Sequence, residues 1–353
     1  MRADHRPTVR STLRMHLHDL RELLRSHGAK ACHETRILRA WTRAQPLDAG
    51  PRAAADYLPL RIREALPELA AAFATIARVR SQHLAADGAV RLAVELRDGQ
   101  CVETVLLPRD GLCVSTQVGC AVGCLFCMTG RHGLARHLDS AEIVAQVALA
   151  RALRRVTKVV FMGMGEPAHN LDAVLEAIDL LGTEGDIGHK NLVFSTVGDR
   201  RVFDRLPRGR VKPGLALSLH STHPPTRRRL LPHAPRIEPE ELVDEGERYA
   251  RATHYPIQYQ WTLLRGVNDT GHEVDGIVRL LHGKYAMMNL IPYNVVDGTD
   301  FARPDDARAS AMAATLNRRG ILTKLRNSAG QDIDAGCGQL RSRTLTPRPA
   351  VTT

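Results

Sequence analysis

Three cysteines near the middle of the chain carry its clearest chemical signal. Cys120, Cys124 and Cys127 stand in the run GCAVGCLFC, with the spacing C-x3-C-x2-C. A closed tetrahedral zinc site needs a fourth protein ligand, and no residue at ordinary spacing behind Cys127 supplies one. A [4Fe–4S] cluster held by three cysteines instead keeps one iron open for a small molecule. The alternative is three buried structural cysteines, since buried cysteine is common although this spacing is not.

A glycine-rich turn is the second candidate for chemistry. Gly163-Met164-Gly165-Glu166-Pro167 closes the apolar run KVVFMGM. Glycine lets the backbone approach a ligand closely, so the turn is a candidate binding loop. The same residues also fit an ordinary strand-to-helix turn, and the turn taken alone does not separate the two interpretations.

The elements that would position these residues alternate from Cys113 onwards. The β-like runs are LCVSTQV, KVVFMGM, LVFSTVG, GLALSLH, IQYQWTLL, MMNLIPY and ILTKLR, with helical runs between most of them. Asp139 to Glu142 resembles a capping box ahead of IVAQVALARAL. Such alternation predicts parallel strands with crossover helices, in an open or closed α/β barrel. The clustered cysteines follow the first of these strands, at the strand end where barrels place their chemistry.

The region before the barrel has a different texture. Residues 1 to about 80 predict short helices without strand alternation, including LHDLRELLRSHG and LRIREALPELAAAFATIARVR. We expect Pro67 to interrupt the second of these. VRLAVELRDGQCVETVLLP then predicts a hairpin around Arg97-Asp98-Gly99. The final run, RSRTLTPRPAVTT, is predicted to be disordered.

Charge and cysteine usage limit the class of protein. The 49 Lys and Arg against 38 Asp and Glu give a net charge of +11, which favours a polyanionic partner, nucleic acid first. A merely basic soluble protein would look the same. Seven cysteines, an odd number with four of them between 113 and 127, argue against a secreted disulfide framework. With no signal peptide and no long apolar stretch, we expect a cytoplasmic protein without a membrane span.

Taken in order, the motifs resemble those of the RlmN/Cfr family of radical S-adenosylmethionine (SAM) RNA methyltransferases. They are VETV, LLP, LCVSTQVGC, GMGEP, STVGD, ALSLH, NLIPYN and DIDAGCGQL. The resemblance implies an α/β fold with an incomplete (βα)6-type radical SAM barrel at 111–342. Before it we expect a helical, basic N-terminal accessory domain at 1–80 and a β-hairpin linker at 81–110, and after it a disordered tail at 343–353.

The resemblance also implies a site. The three clustered cysteines would hold the [4Fe–4S] cluster. Cys337 matches a cysteine that carries the methyl group, Cys113 matches its resolving partner, and Glu103 matches a proposed proton acceptor. The residues that match SAM-contacting positions are Gly165, Glu166, Ser195, Ser218, Leu219, His220 and Asn294.

The implied activity is methylation of an adenine ring carbon in RNA through a methyl-cysteine, with two SAM molecules per turnover. C2 of an adenine in ribosomal RNA leads, with transfer RNA and C8 as alternatives. An electron donor such as flavodoxin or ferredoxin is implied, and we expect a monomer. The competitors are a radical SAM enzyme with a non-RNA substrate and a non-catalytic iron–sulfur RNA-binding protein or redox sensor. The non-catalytic protein would need the cluster but neither Cys337 nor Cys113.

Several of these residues also have a purely structural interpretation. Glu103 could be an exposed side chain on the hairpin, Ser195 and Asn294 could cap helices or turns, and His220 could be a core histidine. Two basic stretches after barrel strands could line an RNA channel or simply be solvated. They comprise Arg200, Arg201, Arg205, Arg208, Arg210 and Lys212, and the run Arg227-Arg228-Arg229.

Departures from the family pattern lie around the substrate more than around the cluster. Asn327, Ala329 and Gln331 stand where relatives tend to carry more basic residues. The reaction type is therefore better supported than the target nucleotide. Cys32 and Cys101 match no motif, and we assign them structural roles.

Overall fold

Twelve strands occur in the part of the chain that the computed structural model describes, which comprises residues 15–50 and 52–342. They are β1 (Ala77–Leu84), β2 (Val90–Leu96), β3 (Cys101–Leu107), β4 (Gly111–Cys113), β5 (Gln117–Gly119), β6 (Leu134–His137), β7 (Lys158–Phe161), β8 (Leu192–Thr196), β9 (Gly214–Ser218), β10 (Ile257–Leu263), β11 (Ala286–Pro292) and β12 (Thr323–Leu325). The predicted disordered tail lies outside the described residues, as does the start of the predicted N-terminal domain.

Ten of the strands form one open sheet in the order β1-β2-β3-β4-β7-β8-β9-β10-β11-β12. The first four pair antiparallel, and the seven from β4 through β12 pair parallel. The prediction of an open α/β barrel with mostly parallel strands is confirmed. β4 and β12 have only three residues each, so the parallel part ends in short strands on both sides.

Helices connect the parallel strands and cover the sheet. They are α1 (Leu17–Ser26), α2 (Ala31–Thr42), α3 (Leu60–Ala74), α4 (Ser140–Leu153), α5 (Leu171–Thr183), α6 (Arg200–Arg205), α7 (Pro224–Leu230), α8 (Pro239–Thr253), α9 (Gly271–Leu281) and α10 (Asp306–Arg318). The predicted capping box is confirmed, because the Asp139 N–H donates to Glu142 Oε2 at 2.9 Å. The N-terminal helices attach at that same cap, where Met15 N–H donates to Asp139 Oδ2 and Leu17 N–H to Ser140 Oγ.

Two expectations for the region before the barrel were wrong. Helix α3 runs from Leu60 to Ala74 straight through Pro67, so its Ala- and Leu-rich flanks sustain the helix despite the lost N–H. The end of the run expected to be helical, from Ala77, instead begins strand β1, which pairs with β2. Tertiary pairing overrides local propensity there. The β2–β3 hairpin turns at Gly99 as predicted.

No helix in the described part of the chain is both long and apolar enough to cross a membrane.

Candidate active site

Strands β5 and β6 hold the two ends of the loop that carries the three cysteines, residues 120–133, called here the cysteine loop. The Cys120 N–H donates to the carbonyl oxygen of Gly133 at 3.0 Å, which closes the loop at its base. Gly119 has a φ of +80°, and a Cβ there would overlap that same carbonyl oxygen. The closure therefore requires glycine at position 119.

The cysteine loop lies on a small apolar cluster that is separate from the main core. The cluster consists of Val122, Phe126, Val197, Leu230, Leu231, Leu264, Tyr293 and Val296. All three cysteines are half-buried and pack against it. Burial raises the pKa of Cys120 to about 12 and raises that of Cys124 well above its ordinary value. Thiolates in such surroundings need a compensating cation.

The three thiols of the cysteine loop do not converge on a single point. Among the described residues, no three His, Cys, Asp or Glu side chains converge as ligands of one metal ion would. In a [4Fe–4S] cluster each thiolate binds a different iron, so the three sulfurs stay farther apart than in a zinc site. Three soft ligands on one apolar-backed loop fit a cluster with an open iron.

The glycine-rich turn after β7 lies beside the cysteine loop. Gly165 has a φ of +102°, and a Cβ there would collide with the side chain of Gln117. The Glu166 N–H donates to Gln117 Oε1 at 2.8 Å. The Glu166 carboxylate accepts from the N–H groups of Ala168 and Val197, each at 3.0 Å. Burial raises the pKa of Glu166 to about 7, although these hydrogen bonds lower it.

Buried Arg227 ties the ends of β8 and β9 together. From α7 its guanidinium donates to the carbonyl oxygens of Val197, Ser218 and Leu219. Burial lowers the pKa of Arg227 to about 10, while nearby Cys124 raises it. Arg227 thus places one positive charge beside the cysteine loop and fixes the backbone at two predicted SAM contacts, Ser218 and Leu219. It does not line an RNA channel. A third predicted contact, Ser195, is half-buried in β8.

His220 is held as a neutral histidine. Its Nδ1 accepts the Thr262 N–H at 3.0 Å, and its ring meets the ring of Phe126 edge-on at 4.8 Å between centroids. Burial lowers its pKa to about 3, with a further contribution from Arg227. His220 is therefore buried as the structural interpretation expects, and its ring also contacts the cysteine loop, so the position is compatible with either role. Its φ of +60° is unusual for histidine.

The segment after β12 that carries Cys337, residues 327–342 and called here the Cys337 segment, meets the cysteine loop directly. The Met128 N–H donates to the carbonyl oxygen of Gly338 at 2.7 Å, and Thr129 Oγ1 donates to that of Leu340 at 2.6 Å. Cys337 is exposed. Desolvation of its thiol raises its pKa, while Ser328 and Arg326 lower it.

Asn294, a predicted SAM contact at the end of β11, also belongs to this contact region. Its Nδ2 donates to Ser328 Oγ at 2.8 Å and to the carbonyl oxygen of Cys337 at 3.0 Å. Asn294 Oδ1 is buried without a hydrogen-bond partner in the described part of the chain. The interpretation of Asn294 as a simple cap does not account for that free acceptor. A ligand with an N–H or O–H donor would satisfy it.

Glu103 is buried rather than exposed, so the interpretation of it as a solvated hairpin residue was wrong. Its side chain is 2% exposed and that of Arg91 is 6% exposed. Arg91 Nη1 donates to Glu103 Oε1 at 2.5 Å, and the Arg341 N–H donates to Glu103 Oε2 at 3.0 Å. The carboxylate therefore joins the β2–β3 hairpin to the Cys337 segment. Cys113 at the end of β4 is also buried, and Cys337 raises its pKa, second to burial.

The structure thus brings the predicted residues to one end of the parallel strands, on two sides of the cysteine loop. Three residues of this region were not predicted from the sequence: Gln117, Arg91 and Ser328. Of these three, only Arg91 could have been found from the sequence. The hairpin turn sets a register in which Arg91 faces Val105 and therefore lies diagonal to Glu103 on the same face.

The basic stretches that could have lined an RNA channel are largely neutralised. Five of the arginines form ion pairs: Arg200 with Glu241, Arg201 with Asp199, Arg205 with Asp172, Arg210 with Asp179 and Arg228 with Glu238. Lys212 donates to backbone carbonyl oxygens. Of the cysteines assigned structural roles, Cys101 is buried but Cys32 is exposed, which makes a core role for Cys32 wrong.

A cavity of about 980 Å³ opens against the outer side of the cysteine loop. Cys120 and Cys124 line it, together with Arg131, Arg229 and His233. The predicted SAM contacts are not part of its lining, so this opening gives separate access to the cysteines.

Comparison with known proteins agrees with this geometry. Residues 114–281 match the family model of the radical SAM superfamily. A probable RNA methyltransferase of Aromatoleum aromaticum is 69% identical over 331 residues, covering 94% of this chain and 93% of the relative. One of Leptothrix cholodnii is 65% identical over 333 residues, covering 94% and 96%.

A solved structure gives the same result for the whole fold. The crystal structure of a radical SAM methyltransferase from Sphaerobacter thermophilus has a TM-score of 0.80 and 35% sequence identity, covering 93% of this chain and 98% of that one. The family implies a [4Fe–4S] cluster and SAM, and the three soft ligands and the free acceptor of Asn294 fit both. The chain belongs to the radical SAM superfamily and, within it, to the methyltransferase family of these relatives.

Proposed function

We propose that this methyltransferase acts on RNA and methylates an adenine ring carbon, C2 in ribosomal RNA, through a methyl group carried on Cys337. The observation that carries the proposal is the neighbourhood of two cysteines from distant parts of the chain. After burial, Cys337 beyond β12 raises the pKa of Cys113 in the sheet, and Cys127 of the cysteine loop raises that of Cys337. The relatives' names, probable RNA methyltransferase, support RNA as the substrate.

The cofactors supply what side chains cannot. An adenine ring carbon is a poor nucleophile, and SAM bound at a reduced cluster provides both an electrophilic methyl group and a route to radical chemistry. Cys120, Cys124 and Cys127 would hold the cluster, and Arg227 offsets part of its negative charge. The turn at Gly165 and Glu166, the ends of β8 and β9, His220 and Asn294 would hold SAM.

Three residues then have duties of their own. Cys337 as a thiolate accepts the methyl carbon and links it to the base. Glu103 receives the proton that the ring carbon loses, at a carboxylate that accepts a hydrogen bond from Arg91. Cys113 as a thiolate attacks the sulfur of Cys337, and the bond from that sulfur to the bridging carbon breaks. The carbon takes the electron pair and a proton and leaves as the methyl group of the base, while a transient disulfide remains for cellular thiols to reduce. A disulfide of this kind is catalytic, in keeping with a reducing cytoplasm.

RNA would approach on the side of the Cys337 segment. Burial lowers the pKa of Lys158. The nearby positive charges of Arg326 and Lys324 lower it further. Among the ion pairs of the described residues, none involves these three cations. Arg326 also lowers the pKa of Cys337. A phosphate group would relieve the repulsion among them and bring the backbone of RNA to the thiol.

The electron donor would use the opposite side. The cavity at the cysteine loop exposes Cys120 and Cys124 beneath a rim with Arg131 and Arg229. An acidic carrier such as flavodoxin or ferredoxin would complement that rim and reach the cluster without displacing RNA. We propose a monomer, because both openings lie within one chain.

The alternatives differ in what they require of the two cysteines. Methylation at C8 would use the same residues, and no contact described here separates it from C2. A non-catalytic iron–sulfur RNA-binding protein would need neither Cys113 nor Cys337, so their neighbourhood favours an enzyme.

The test uses a Cys113→Ala variant purified without oxygen from cells, with Cys101→Ala as the matched control. Cys101 is also buried, on the adjacent strand β3, but has no part in the proposal. We expect RNA to remain covalently attached to Cys337 in Cys113→Ala, because the release step fails, and the attached nucleotide to identify base and carbon. A Cys113→Ala protein free of RNA that still methylates RNA at the wild-type rate would refute the mechanism.

A further inference from the structure

Ser328 stands between Asn294 and Cys337, and no role was predicted for it. Its Oγ accepts hydrogen bonds from Asn294 Nδ2 at 2.8 Å and from the N–H of Cys337 at 3.4 Å. Asn294 Nδ2 also donates to the carbonyl oxygen of Cys337 at 3.0 Å. The three residues therefore form a closed group in which both backbone polar atoms of Cys337 are held.

The hydrogen-bond capacity of a hydroxyl determines where the Ser328 proton points. A serine hydroxyl has two lone pairs and one O–H. Two N–H donors occupy the lone pairs, so the O–H is left to donate, and the hydroxyl lies beside Cys337, whose N–H it already accepts. In agreement with that direction, Ser328 lowers the pKa of Cys337.

Asn294 fixes which way this group faces. Because its Nδ2 is committed to Ser328 and to Cys337, its Oδ1 points elsewhere, and Oδ1 is the buried acceptor without a partner among the described residues. Asn294 is 5% exposed, so leaving that oxygen unsatisfied is costly. One amide thus connects the backbone of Cys337 to an acceptor suited to a donor group of SAM.

We propose that Ser328 is a positioning residue for the sulfur of Cys337, which it orients by donating its hydroxyl proton to Sγ. The inference rests on the proposed function of Cys337 as the methyl acceptor. In that step the thiol proton has already passed to solvent. The Cys337 sulfur forms a bond to the methyl carbon, the bond from that carbon to the sulfonium of SAM breaks, and its electron pair leaves with S-adenosylhomocysteine. No oxidant or reductant is needed.

The experiment measures the reactivity of the thiol itself. Cluster-loaded wild-type, Ser328→Ala and Ser328→Thr proteins are treated with iodoacetamide without oxygen and digested with trypsin. Cleavage after Arg326 and Arg341 releases a peptide whose only cysteine is Cys337. The cluster protects the cysteines of the cysteine loop. The same digest reports how much Cys337 already carries a methyl group, and rates refer to the remaining thiol.

We expect Cys337 in Ser328→Ala to react about three- to tenfold more slowly than in wild type. Losing one hydrogen bond to a charged sulfur reduces the thiolate fraction about tenfold, and the greater nucleophilicity of a more basic thiolate recovers part of that loss. Ser328→Thr keeps the hydroxyl and should react at nearly the wild-type rate. Ser342→Ala is the control, because Ser342 attaches the same segment but donates to the carbonyl oxygen of Cys101.

Two outcomes would overturn the proposal. An unchanged rate in Ser328→Ala would mean that the hydroxyl does not reach the sulfur. A faster rate would mean that it only restrains the segment, since a loosened loop exposes the thiol. If no methyl group is ever found on wild-type Cys337, the proposed function fails, whereas the alkylation rates still decide whether the hydrogen bond exists.

Discussion

The cysteine loop and the Cys337 segment touch each other, yet different forces hold them. The cysteine loop is closed by a short antiparallel pair and lies on an apolar cluster. The Cys337 segment packs few large apolar side chains and is held by hydrogen bonds to β3, β11, the cysteine loop and the β1–β2 turn. Apolar packing is hard to undo locally, whereas partly buried hydrogen bonds can be replaced by bonds to water when a segment moves.

The difference corresponds to two tasks. Under the proposed function, a cluster with one open iron would have to keep its geometry through every step, which suits a loop that is sterically fixed on an apolar cluster. Cys337 would accept a methyl group, meet a base and then meet a second cysteine, so it would have to change partners. The contrast predicts that substitutions in the cysteine loop affect cluster content, whereas those at the Cys337 segment affect the accessibility of its thiol.

The largest effect is expected from Gly119→Ala, with Gly133→Ala as its matched control. Both glycines have positive φ, but a Cβ at position 133 has no atom within 4 Å, whereas one at position 119 overlaps the Gly133 carbonyl oxygen. We expect a loss of about 1 kcal/mol for Gly133→Ala and at least about 3 kcal/mol for Gly119→Ala. Urea unfolding and iron content measure this. Equal losses would contradict the proposed closure of the loop.

Arg91 tests how the Cys337 segment is attached. Arg91→Met removes the positive charge that is ion-paired with the buried Glu103 carboxylate and should cost about 3–5 kcal/mol. Adding Glu103→Leu removes the uncompensated charge and should restore most of that stability. The double variant still lacks the acceptor for the Arg341 N–H, so Cys337 should be alkylated faster than in wild type. Denaturation midpoints together with alkylation rates separate the two effects. A double variant as unstable as Arg91→Met would contradict the charge argument.

Burial of His220 against the cysteine loop should make the stability of the protein depend on pH. The pKa of His220 is lowered from an ordinary 6.5 to about 3 in the folded protein. Below about pH 6.5 the histidine is therefore protonated in the unfolded chain but stays neutral in the folded one. The free energy of unfolding falls as the pH drops below that value. The expected loss between pH 7 and pH 5 is about 2 kcal/mol. In His220→Asn, whose Oδ1 can accept the Thr262 N–H, that part of the pH dependence should vanish.

His254→Asn is the control for His220. His254 also has a positive φ, +58°, but it is exposed at the end of α8. Asparagine should relieve the backbone at both positions, since it tolerates this region better than histidine. Only His220→Asn should change the slope of stability against pH. Parallel slopes for wild type and His220→Asn would mean that His220 is not buried in neutral form.

The smallest effect is expected for RNA binding. Lys324→Ala and Arg326→Ala should each reduce the slope of log affinity against log salt by about one, because each removes one phosphate contact. Arg210→Ala should leave the slope unchanged, since Arg210 is paired with Asp179. Filter binding across a salt series decides this. If only Arg210→Ala changed the slope, the RNA would bind on the opposite side of the sheet.

The sequence predicts the parallel strands well, because each is a short apolar run between turn and helix signals. It also indicates the cysteine loop as a candidate site, since the C-x3-C-x2-C spacing places three thiols in one short segment. It does not predict β1, because ARVRSQHL is a mostly exposed strand whose polar side chains carry little pattern beside an Ala-rich helix. Its strand identity comes from pairing with β2, which is a tertiary contact.

The supporting contacts of the site were the hardest to predict. Ser328 is one of many serines, and its significance comes from a residue on β11 that approaches it only in the folded chain. Arg227 belongs to a run of three arginines in which neighbouring Arg228 forms an exposed ion pair, while Arg227 is buried. The three arginines cannot be distinguished by residue type, and only their packing in the folded chain separates them.

The position of Cys113 has one more consequence. Its strand pairs with β3 on one side and β7 on the other, through Val105 and Val160, so the backbone of Cys113 is fixed in the sheet. Of the two cysteines in the proposed disulfide, only Cys337 can travel. The effective concentration of one thiol at the other is then a property of the Cys337 segment alone, and tightening or loosening its hydrogen bonds would set how long a base stays linked to the enzyme before release.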